Sequence, residues 1–269
     1  MTSHAHPIFT PQVTLVGAGP GDPELLTLKA VKAIASATVL MVDDLVHPDV
    51  LQHASPTARI IHVGKRGGCQ STPQAFIEKL MAQEALAGEK VVRLKGGDPL
   101  VFGRGGEEQQ HLRAQGIAVE VINGITAGLA AAHDLGIALT HRAHAHGVLM
   151  ITGHASHNPS TQRMPAIDWP LIARTAHECR LTLVVYMGVQ TAAHLQQALL
   201  AGLPADTPVA VVENASLPSQ KHATSQLDRL SDLFEREQLA SPAVIIVGDV
   251  LQGLQKLNQA DAPHAALQA

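Results

Sequence analysis

The sequence predicts an α/β protein with two domains, each built on a mostly parallel sheet that is covered by helices. In the first half, apolar runs of strand length alternate with longer segments of helical period, which is typical of parallel sheets. Residues 137–147, IALTHRAHAHG, keep no sustained period, and a second series of apolar runs follows them. We therefore predict domains at 12–136 and 148–258, joined by a linker at 137–147.

Five strands are predicted in the first domain, on the apolar runs at 13–16, 38–42, 59–63, 90–94 and 118–122. A helix is predicted at 25–37, where apolar residues recur at three- and four-residue spacing. The next helix is predicted to have Thr72 as its N-cap and Pro73 at its first position, and to end at Gly88.

Four strands are predicted in the second domain, at 148–152, 181–187, 208–212 and 243–247. A helix is predicted at 191–201, with Gly202 following its end. The polar, proline-containing stretch 156–170 predicts a loop. Both tails, 1–11 and 259–269, are expected to be disordered.

Composition excludes several classes of function. The 269 residues carry a formal net charge of −4 and only 2% aromatic residues, so neither a basic tract nor a stacking platform for nucleic acid is expected. No apolar run approaches the length of a membrane span, about 18 residues, and the start lacks a signal-peptide pattern. Cys69 and Cys179 form no CxxC pair, which fits a reducing compartment. We expect a soluble cytoplasmic protein with no nucleic-acid or membrane partner.

The first predicted strand leads into the glycine-rich loop VGAGPGDPELLT. A dinucleotide fold favours G-x-G-x-x-G, but the sixth position counted from Gly17 is Asp22, and Pro20 and Pro23 interrupt the turn. A methyltransferase loop usually has an acidic residue where this chain has Leu15. This loop alone does not distinguish between dinucleotide binding, methyl-donor binding and a purely structural turn.

The segment RLKGGDPLVFGRGGEE is more informative, because it carries two glycine clusters directly after a buried strand. Glycine outside an ordinary turn costs chain entropy, so a close-fitting ligand is the better explanation for these clusters. Asp98 follows the strand where open α/β sheets bind ligands. Glu107 and Glu108 are predicted to begin a helix, where negative charge suits the helix dipole.

Seven motifs from about Val13 to Val250 resemble the tetrapyrrole methylase family, and within it the members that methylate uroporphyrinogen III. They are GAGPGDPELLT, VGKRGG, RLKGGDPLVFGRGGEE, GITA, LTHR, VVYMG and TPVAVVENAS, in that order. The resemblance implies two α/β domains with a cleft between them for S-adenosylmethionine, and a homodimer. It also implies C-methylation of uroporphyrinogen III at two pyrrole carbons, via precorrin-1 to precorrin-2, for sirohaem, cobalamin or haem d1 biosynthesis.

The resemblance also implies a set of contacts with the methyl donor. The residues concerned are Pro20, Gly96, Gly97, Asp98, Val101, Thr126, Ala127, Met187 and Ala215. The chemistry of several side chains agrees with this role. Asp98 can accept from the ribose hydroxyls, and Met187 offers a soft apolar wall for the adenine. Thr126 and Ala127 open a predicted helix, where the hydroxyl can equally be an N-cap.

By the same resemblance, Asp43 after the second strand is the proton acceptor and Lys65 after the third strand is the proton donor. The substrate carries carboxylates, which an acidic chain must bind with local cations. Arg66, Arg104 and Arg142 lie within the matching motifs and can each hold a carboxylate through two hydrogen bonds. We favour Arg104, because it lies among glycines where a ligand can approach closely.

Two other hypotheses compete with methyl transfer. A nicotinamide-dependent oxidoreductase would use the first glycine-rich loop and Asp43 or Asp44 after the second strand, but the third glycine of that motif is missing. A catalytically silent tetrapyrrole-binding or chelating module would use the histidines crowded between His141 and His157. These histidines match no metal-ligand spacing, so we expect no bound metal.

Overall fold

The computed structural model describes residues 12–64, 72–154 and 166–252. Internal contacts divide the chain into two compact units, which meet in sequence between Thr126 and Ala127. The predicted boundary lies after residue 136. In the structure, the helix that follows the fifth strand therefore groups with the second unit and not with the first. Each unit is described separately below.

The first unit is a five-stranded parallel sheet with helices on both faces. Its strands are β1 (Gln12–Gly17), β2 (Val39–Val42), β3 (Arg59–His62), β4 (Val91–Lys95) and β5 (Ala118–Ile122), in the order β3-β2-β4-β1-β5. Its helices are α1 (Leu28–Ser36), α2 (Gln74–Leu86) and α3 (Gly105–Ala114). Every strand pairing in this sheet is parallel. The predicted parallel α/β arrangement is confirmed here.

The ends of the first two helices follow local rules, with one correction. Thr27 caps α1, because its hydroxyl accepts the N–H of Ala30 at 3.1 Å. The predicted N-cap of α2, Thr72, is wrong. Pro73 is the N-cap, since its backbone is extended, with ψ of 135°, and its carbonyl accepts the first helical hydrogen bond from Ile77.

The apolar core of the first unit lies on both faces of the sheet, as expected for parallel strands. Alternate residues of β1, β2 and β4 pack against α1 on one face and against α2 and α3 on the other. The α1 face is completed by Ala30 and Ile34, and the opposite face by Ile77, Met81 and Leu112.

The strand order determines where this unit can bind a ligand. After β1 the chain crosses to β2 on one side, whereas after β4 it crosses to β5 on the other side. Neighbouring strands β1 and β4 therefore form the topological switch point, and the loops at their carboxyl ends diverge. We call the set of loops that follow β1, β2, β4 and β5 the carboxyl edge.

The second unit has a mixed five-stranded sheet. Its strands are β6 (Gly147–Thr152), β7 (Leu181–Tyr186), β8 (Pro208–Glu213), β9 (Lys221–Gln226) and β10 (Ala243–Val247), in the order β6-β7-β10-β8-β9. Its helices are α4 (Ala127–Asp134), α5 (Trp169–Glu178), α6 (Ala192–Leu200) and α7 (Leu230–Arg236). The β6–β7 pair is parallel, and the three other pairings are antiparallel. The predicted α/β class is confirmed, and the sheet of this unit contains both parallel and antiparallel pairings.

Three elements of the second unit lie outside the sequence prediction. The strand β9 reads KHATSQ, which is too polar for a buried run, and it pairs with β8 alone as an edge strand. Most of the predicted loop at 156–170 lies outside the described residues, and its last two positions belong to α5, which Asp168 caps by accepting the N–H of Leu171 at 3.0 Å. The helix α7 was not predicted either. Helices α5, α6 and α7 share one apolar core on a single face of the sheet.

The helix α4 contacts the opposite face of the same sheet. A side chain at Gly128 would place its Cβ 2.3 Å from the Tyr186 hydroxyl and 2.7 Å from Val184 Cγ1, so glycine is needed for this close approach. The Gly128 N–H also donates to that hydroxyl at 3.0 Å. These contacts explain why α4 groups with the second unit.

The predicted linker 137–147 also contacts this unit. The Thr182 hydroxyl donates to the carbonyl of Leu139 at 2.8 Å, and the His146 N–H donates to the carbonyl of Arg180 at 2.8 Å. Both predicted tails, 1–11 and 259–269, lie outside the described residues. Among the helices that the structure describes, none has the length and apolar character to cross a bilayer.

Candidate functional site

Three glycines bring the loops of the carboxyl edge into direct contact. A Cβ on Gly17 would lie 2.4 Å from the Gly124 nitrogen, and one on Gly124 would lie 2.1 Å from the Gly97 carbonyl oxygen. The Gly97 N–H donates to the Gly19 carbonyl at 2.7 Å, which closes the loop after β4 onto the loop after β1. Packing of backbone on backbone therefore accounts for these glycines, beside any approach of a ligand.

Asp98 connects the loop after β4 to the loop after β5. Its Oδ1 accepts the N–H of Leu100 at 2.8 Å, and its Oδ2 accepts the N–H of Gly124 at 3.1 Å. The residue is only 8% exposed. Each carboxylate oxygen has a second lone pair, so Asp98 can hold the edge together and still accept from a ligand hydroxyl.

The other predicted donor-binding residues of the first unit lie on the same edge. Pro20 follows β1, Gly96 and Val101 follow β4, and Thr126 follows β5. Pro20 and Val101 are half-buried, whereas Thr126 is buried. The fold therefore brings predicted residues from three separate sequence motifs to one sheet edge.

The predicted residues of the second unit occupy unusual backbone. Met187 follows β7 with φ of 55° and is 51% exposed. Ala215 follows β8 between Asn214 and Ser216, which also have positive φ, of 52° and 68°. Such conformations are uncommon for residues other than glycine and concentrate at functional sites.

The loop of Ala215 is held by its neighbours. The Ser216 N–H donates to Asp134 Oδ2 at 2.8 Å, which connects this loop to the end of α4. The parallel direction of β7 and β8, each antiparallel to β10, places Met187 and Ala215 at the same edge of the second sheet. Ala127, the remaining predicted contact, begins α4 and is half-buried.

Asp43, the predicted proton acceptor, follows β2 at the carboxyl edge of the first unit. Arg93 Nη2 donates to its Oδ1 at 2.7 Å, and Lys95 Nζ lies 3.7 Å from its Oδ2. Its side chain is 30% exposed, whereas both cations are buried. Asp43 therefore has a partly accessible carboxylate, and each of its two oxygens lies close to a buried cation.

Glu108 balances these two cations from α3. It is completely buried, and its Oε1 accepts from Lys95 Nζ at 3.0 Å and from Gln74 Nε2 at 3.2 Å. Arg93 Nε also donates to the same oxygen at 3.4 Å. Burial is the main reason that the pKa of Lys95 is lowered from its ordinary value, and the positive charge of Arg93 adds to this.

This cluster was not predicted from the sequence. The sequence predicts that Glu107 and Glu108 interact with the dipole at the start of a helix, yet only Glu107 lies at the surface, where it pairs with Arg104. A signal was present in VVRLK, because alternate residues of a buried parallel strand face the core on one side. Arg93 and Lys95 take positions equivalent to that of Val91, so they require buried counter-charges.

Arg104, the favoured substrate-binding residue, begins α3 as its N-cap with φ of 59°. Its guanidinium donates from Nε and Nη2 to Glu107 at 3.0 and 2.6 Å, and these hydrogen bonds raise the pKa of Arg104. The side chain is half exposed, so one face is open to a second carboxylate. Arg142 is exposed in the second unit, and Lys65 and Arg66 lie outside the described residues.

The described histidines between His141 and His154 form no metal-binding group. The rings of His141 and His144 lie 4.7 Å apart between centroids. Within 12–64, 72–154 and 166–252, no three His, Cys, Asp or Glu side chains are placed to hold a metal ion. His157 falls outside these ranges.

Comparison with known proteins shows which family the chain resembles. Residues 12–231 match the model of the family "Tetrapyrrole (Corrin/Porphyrin) Methylases". A uroporphyrinogen-III C-methyltransferase of Pseudomonas aeruginosa is 51% identical over 244 residues, which cover 90% of this chain and 95% of the relative. A sirohaem synthase of Pectobacterium atrosepticum is 42% identical, over 92% of this chain and 51% of the relative.

Solved structures show the same architecture. A uroporphyrin-III C-methyltransferase of Thermus thermophilus in complex with S-adenosylhomocysteine is 39% identical and has a TM-score of 0.74. The match covers 90% of this chain and 99% of that protein. From the family match, the curated relatives and this shared fold, we conclude that the chain belongs to the tetrapyrrole methylase family.

Proposed function

We propose that this protein is an S-adenosylmethionine-dependent C-methyltransferase that methylates uroporphyrinogen III at two pyrrole carbons, via precorrin-1 to precorrin-2. One observation carries the proposal: the partly exposed carboxylate of Asp43 lies at the same sheet edge as Asp98 and the three glycines whose backbones are in contact. The names of the relatives from Pseudomonas and Thermus support this reaction.

The residues of the first unit fit the methyl donor. S-adenosylmethionine has ribose hydroxyls and no phosphates, so it needs hydrogen-bond acceptors and a close backbone more than a cationic loop. Asp98 supplies carboxylate oxygens, and the glycine loops after β1 and β4 bring backbone groups to the edge. When bound, the donor supplies an electrophilic methyl group on a sulfonium.

The chain's own residues then have two tasks. The first is alignment, because the pyrrole carbon must approach the methyl group in line, and positioning of this kind supplies much of the rate. The second is proton removal, since each pyrrole carbon already carries a substituent, and the cationic methylated ring is neutralised by losing a proton from a neighbouring N–H or bridging CH2 group. We assign that proton to Asp43, which is held in orientation by Arg93 at 2.7 Å. Lys65 is proposed as the proton donor.

Arginines are proposed to hold the carboxylates of the substrate. Arg104 keeps a half-exposed guanidinium at the first turn of α3, and nothing lies within 4 Å of a Cβ at Gly106, so a ligand has room there. Arg66 and Arg142 are proposed as further contacts. Met187, Ala127 and Ala215 stay predicted donor contacts on the basis of the family motifs.

The cellular location, the oligomeric state, the partners and the pathway of this protein are also proposals. We propose a cytoplasmic homodimer that binds neither nucleic acid nor membrane and uses no metal. The product is expected to enter sirohaem, cobalamin or haem d1 biosynthesis, and the similarity to a sirohaem synthase supports the first of these.

An anaerobic assay tests the reaction. Purified protein is incubated with uroporphyrinogen III and S-adenosylmethionine, and the products are identified by mass and absorption after oxidation. We expect the mass of two added methyl groups, with a one-methyl species at early times. Absence of any methylated tetrapyrrole would sink the proposal, and a product made only from a more highly methylated substrate would reassign the enzyme to a later step.

A further inference from the structure

A cluster of buried charge lies behind the proposed base. Lys95 and Arg93 extend from β4 toward the α2 and α3 side of the sheet, with Asp43 at one end and Glu108 at the other. Lys95 Nζ lies 3.0 Å from the Glu108 oxygen and 3.7 Å from the Asp43 oxygen. One ammonium is thus shared between two carboxylates.

Stability alone does not explain this cluster. Removing charges from water costs several kcal/mol per ion, and replacing buried ion pairs with apolar residues is often neutral or stabilising. The positions of Arg93 and Lys95 continue an apolar face that begins with Val91, where a branched aliphatic side chain would pack well. Among the described residues, Oε2 of Glu108 has no hydrogen-bond partner, which adds to the cost.

The geometry does explain an effect on Asp43. A cation near a carboxylate favours its charged form, and a second anion that attracts the same cation weakens that effect. The Lys95 ammonium, 3.7 Å from Asp43 Oδ2, therefore attracts the negative charge of this carboxylate. Glu108 acts in the opposite direction, because it holds Lys95 at the shorter distance and adds its own negative charge.

We propose that Lys95 and Glu108 are positioning residues that set the proton affinity of the Asp43 carboxylate, Lys95 lowering it and Glu108 raising it. This inference rests on the proposed function, in which Asp43 accepts the proton that the methylated substrate loses. Neither residue needs to touch the substrate, because both act through Asp43.

Other charged groups face the same cluster and must stay constant in a test. Arg93 of β4 contacts both carboxylates, and Glu107 of α3 is near enough to Lys95 for its charge to be felt. Gln74 of α2 contacts Glu108 without adding charge. Lys65 and Arg66 follow β3 and lie outside the described residues.

The test measures the methyl-transfer rate against pH in single turnovers, so that product release does not contribute. For Lys95→Met, the acid limb of the profile should move to higher pH by about one unit, because the carboxylate loses a cation. For Glu108→Gln, the limb should move to lower pH by about one unit, and the plateau rate should fall severalfold because the base is weaker.

Two further variants separate electrostatics from structure. Lys95→Arg keeps the charge and should keep the acid limb of the wild type. The double variant Lys95→Met/Glu108→Gln removes one charge of each sign, so its limb should lie between those of the single variants. Circular dichroism and thermal unfolding identify any variant that fails to fold.

A second readout needs no substrate. The ¹³C signal of the Asp43 carboxyl, assigned by its loss in Asp43→Asn, should titrate in the same order as the acid limbs. Folded variants whose limbs and carboxyl signals stay in place, or move in one common direction, would overturn the inference. A wild-type protein that methylates nothing would instead refute the proposed function, while the carboxyl titration still decides whether the coupling exists.

Discussion

At the scale of single residues, the same edge carries two carboxylates with opposite environments. Asp98 is buried and accepts two backbone N–H groups, whereas Asp43 is partly exposed and faces cations. A carboxylate that serves as a base must reach its substrate, and one that supports loops need not. These surroundings support the roles proposed above, proton acceptor for Asp43 and loop support with ribose contact for Asp98.

Asp43→Asn is expected to lower the methyl-transfer rate at least ~100-fold, because general-base catalysis typically contributes that much or more. Binding of S-adenosylhomocysteine, measured by calorimetry, should change little. Asp49→Asn is a matched control, since Asp49 is an exposed aspartate that follows the same strand and pairs only loosely with His47. An Asp43→Asn variant with full activity would remove the base assignment.

The buried ammonium of Lys95 predicts a pH dependence of stability. Burial lowers the pKa of Lys95 below 10.5 in the folded state, so the unfolded chain binds more protons in the window between the two values. The free energy of unfolding therefore gains a term that rises with pH across this window and is complete above the unfolded pKa.

Urea unfolding of wild type and Lys95→Met from neutral pH to about pH 10.5 measures this term, since the other titrating groups are common to both proteins. The difference in unfolding free energy should shift in favour of the wild type as pH rises. A difference that stays flat with pH would contradict the burial of a charged Lys95.

At the scale of elements, the strand-end loops of the first unit are shaped by contacts with each other. Gly17, Gly97 and Gly124 come from three loops, and their backbones meet at distances that no side chain tolerates. In the sequence, the glycines after β4 predict a close-fitting ligand, whereas those after β1 leave a structural turn open. The loop-to-loop packing could not be predicted, because it joins segments distant in sequence and depends on the strand order β4-β1-β5.

Gly124→Ala is expected to lower the free energy of unfolding by about 1–3 kcal/mol, since its Cβ would overlap backbone that cannot move aside. Gly106→Ala is the matched control. Nothing lies within 4 Å of a Cβ there, and alanine favours the helix, so its stability should be unchanged or slightly higher. Urea denaturation compares the two, and equal stability would show that the three loops can separate without cost.

At the scale of the whole molecule, two α/β units divide the chain after Thr126. The first unit follows the pattern that alternating strands and helices predict. The second departs from it, because β10 runs antiparallel between β7 and β8 and the polar strand β9 extends the edge. Both units nevertheless place the residues of the family motifs at strand ends.

Ligand-linked stability tests the choice of cofactor for the whole protein. S-adenosylhomocysteine at 100 times its dissociation constant should stabilise the folded state by about 2.7 kcal/mol and raise the unfolding temperature. NAD at the same concentration should have no effect, because the motif lacks its third glycine. Stabilisation by NAD instead of S-adenosylhomocysteine would favour the oxidoreductase hypothesis.

The sequence by itself determined the strands of the first sheet, the α/β class and the family, because hydrophobic period and long motifs are local properties of the chain. Asp98 could be named from its position after an apolar run, whereas Asp43 and Arg104 could be named through the family motifs. Only the tertiary structure decided that Glu108 faces Lys95 and Arg93, that Asp98 caps the loop after β5, and that β10 reverses direction. These contacts join residues of different elements, and their free energy depends on burial and strand order, which no single segment encodes.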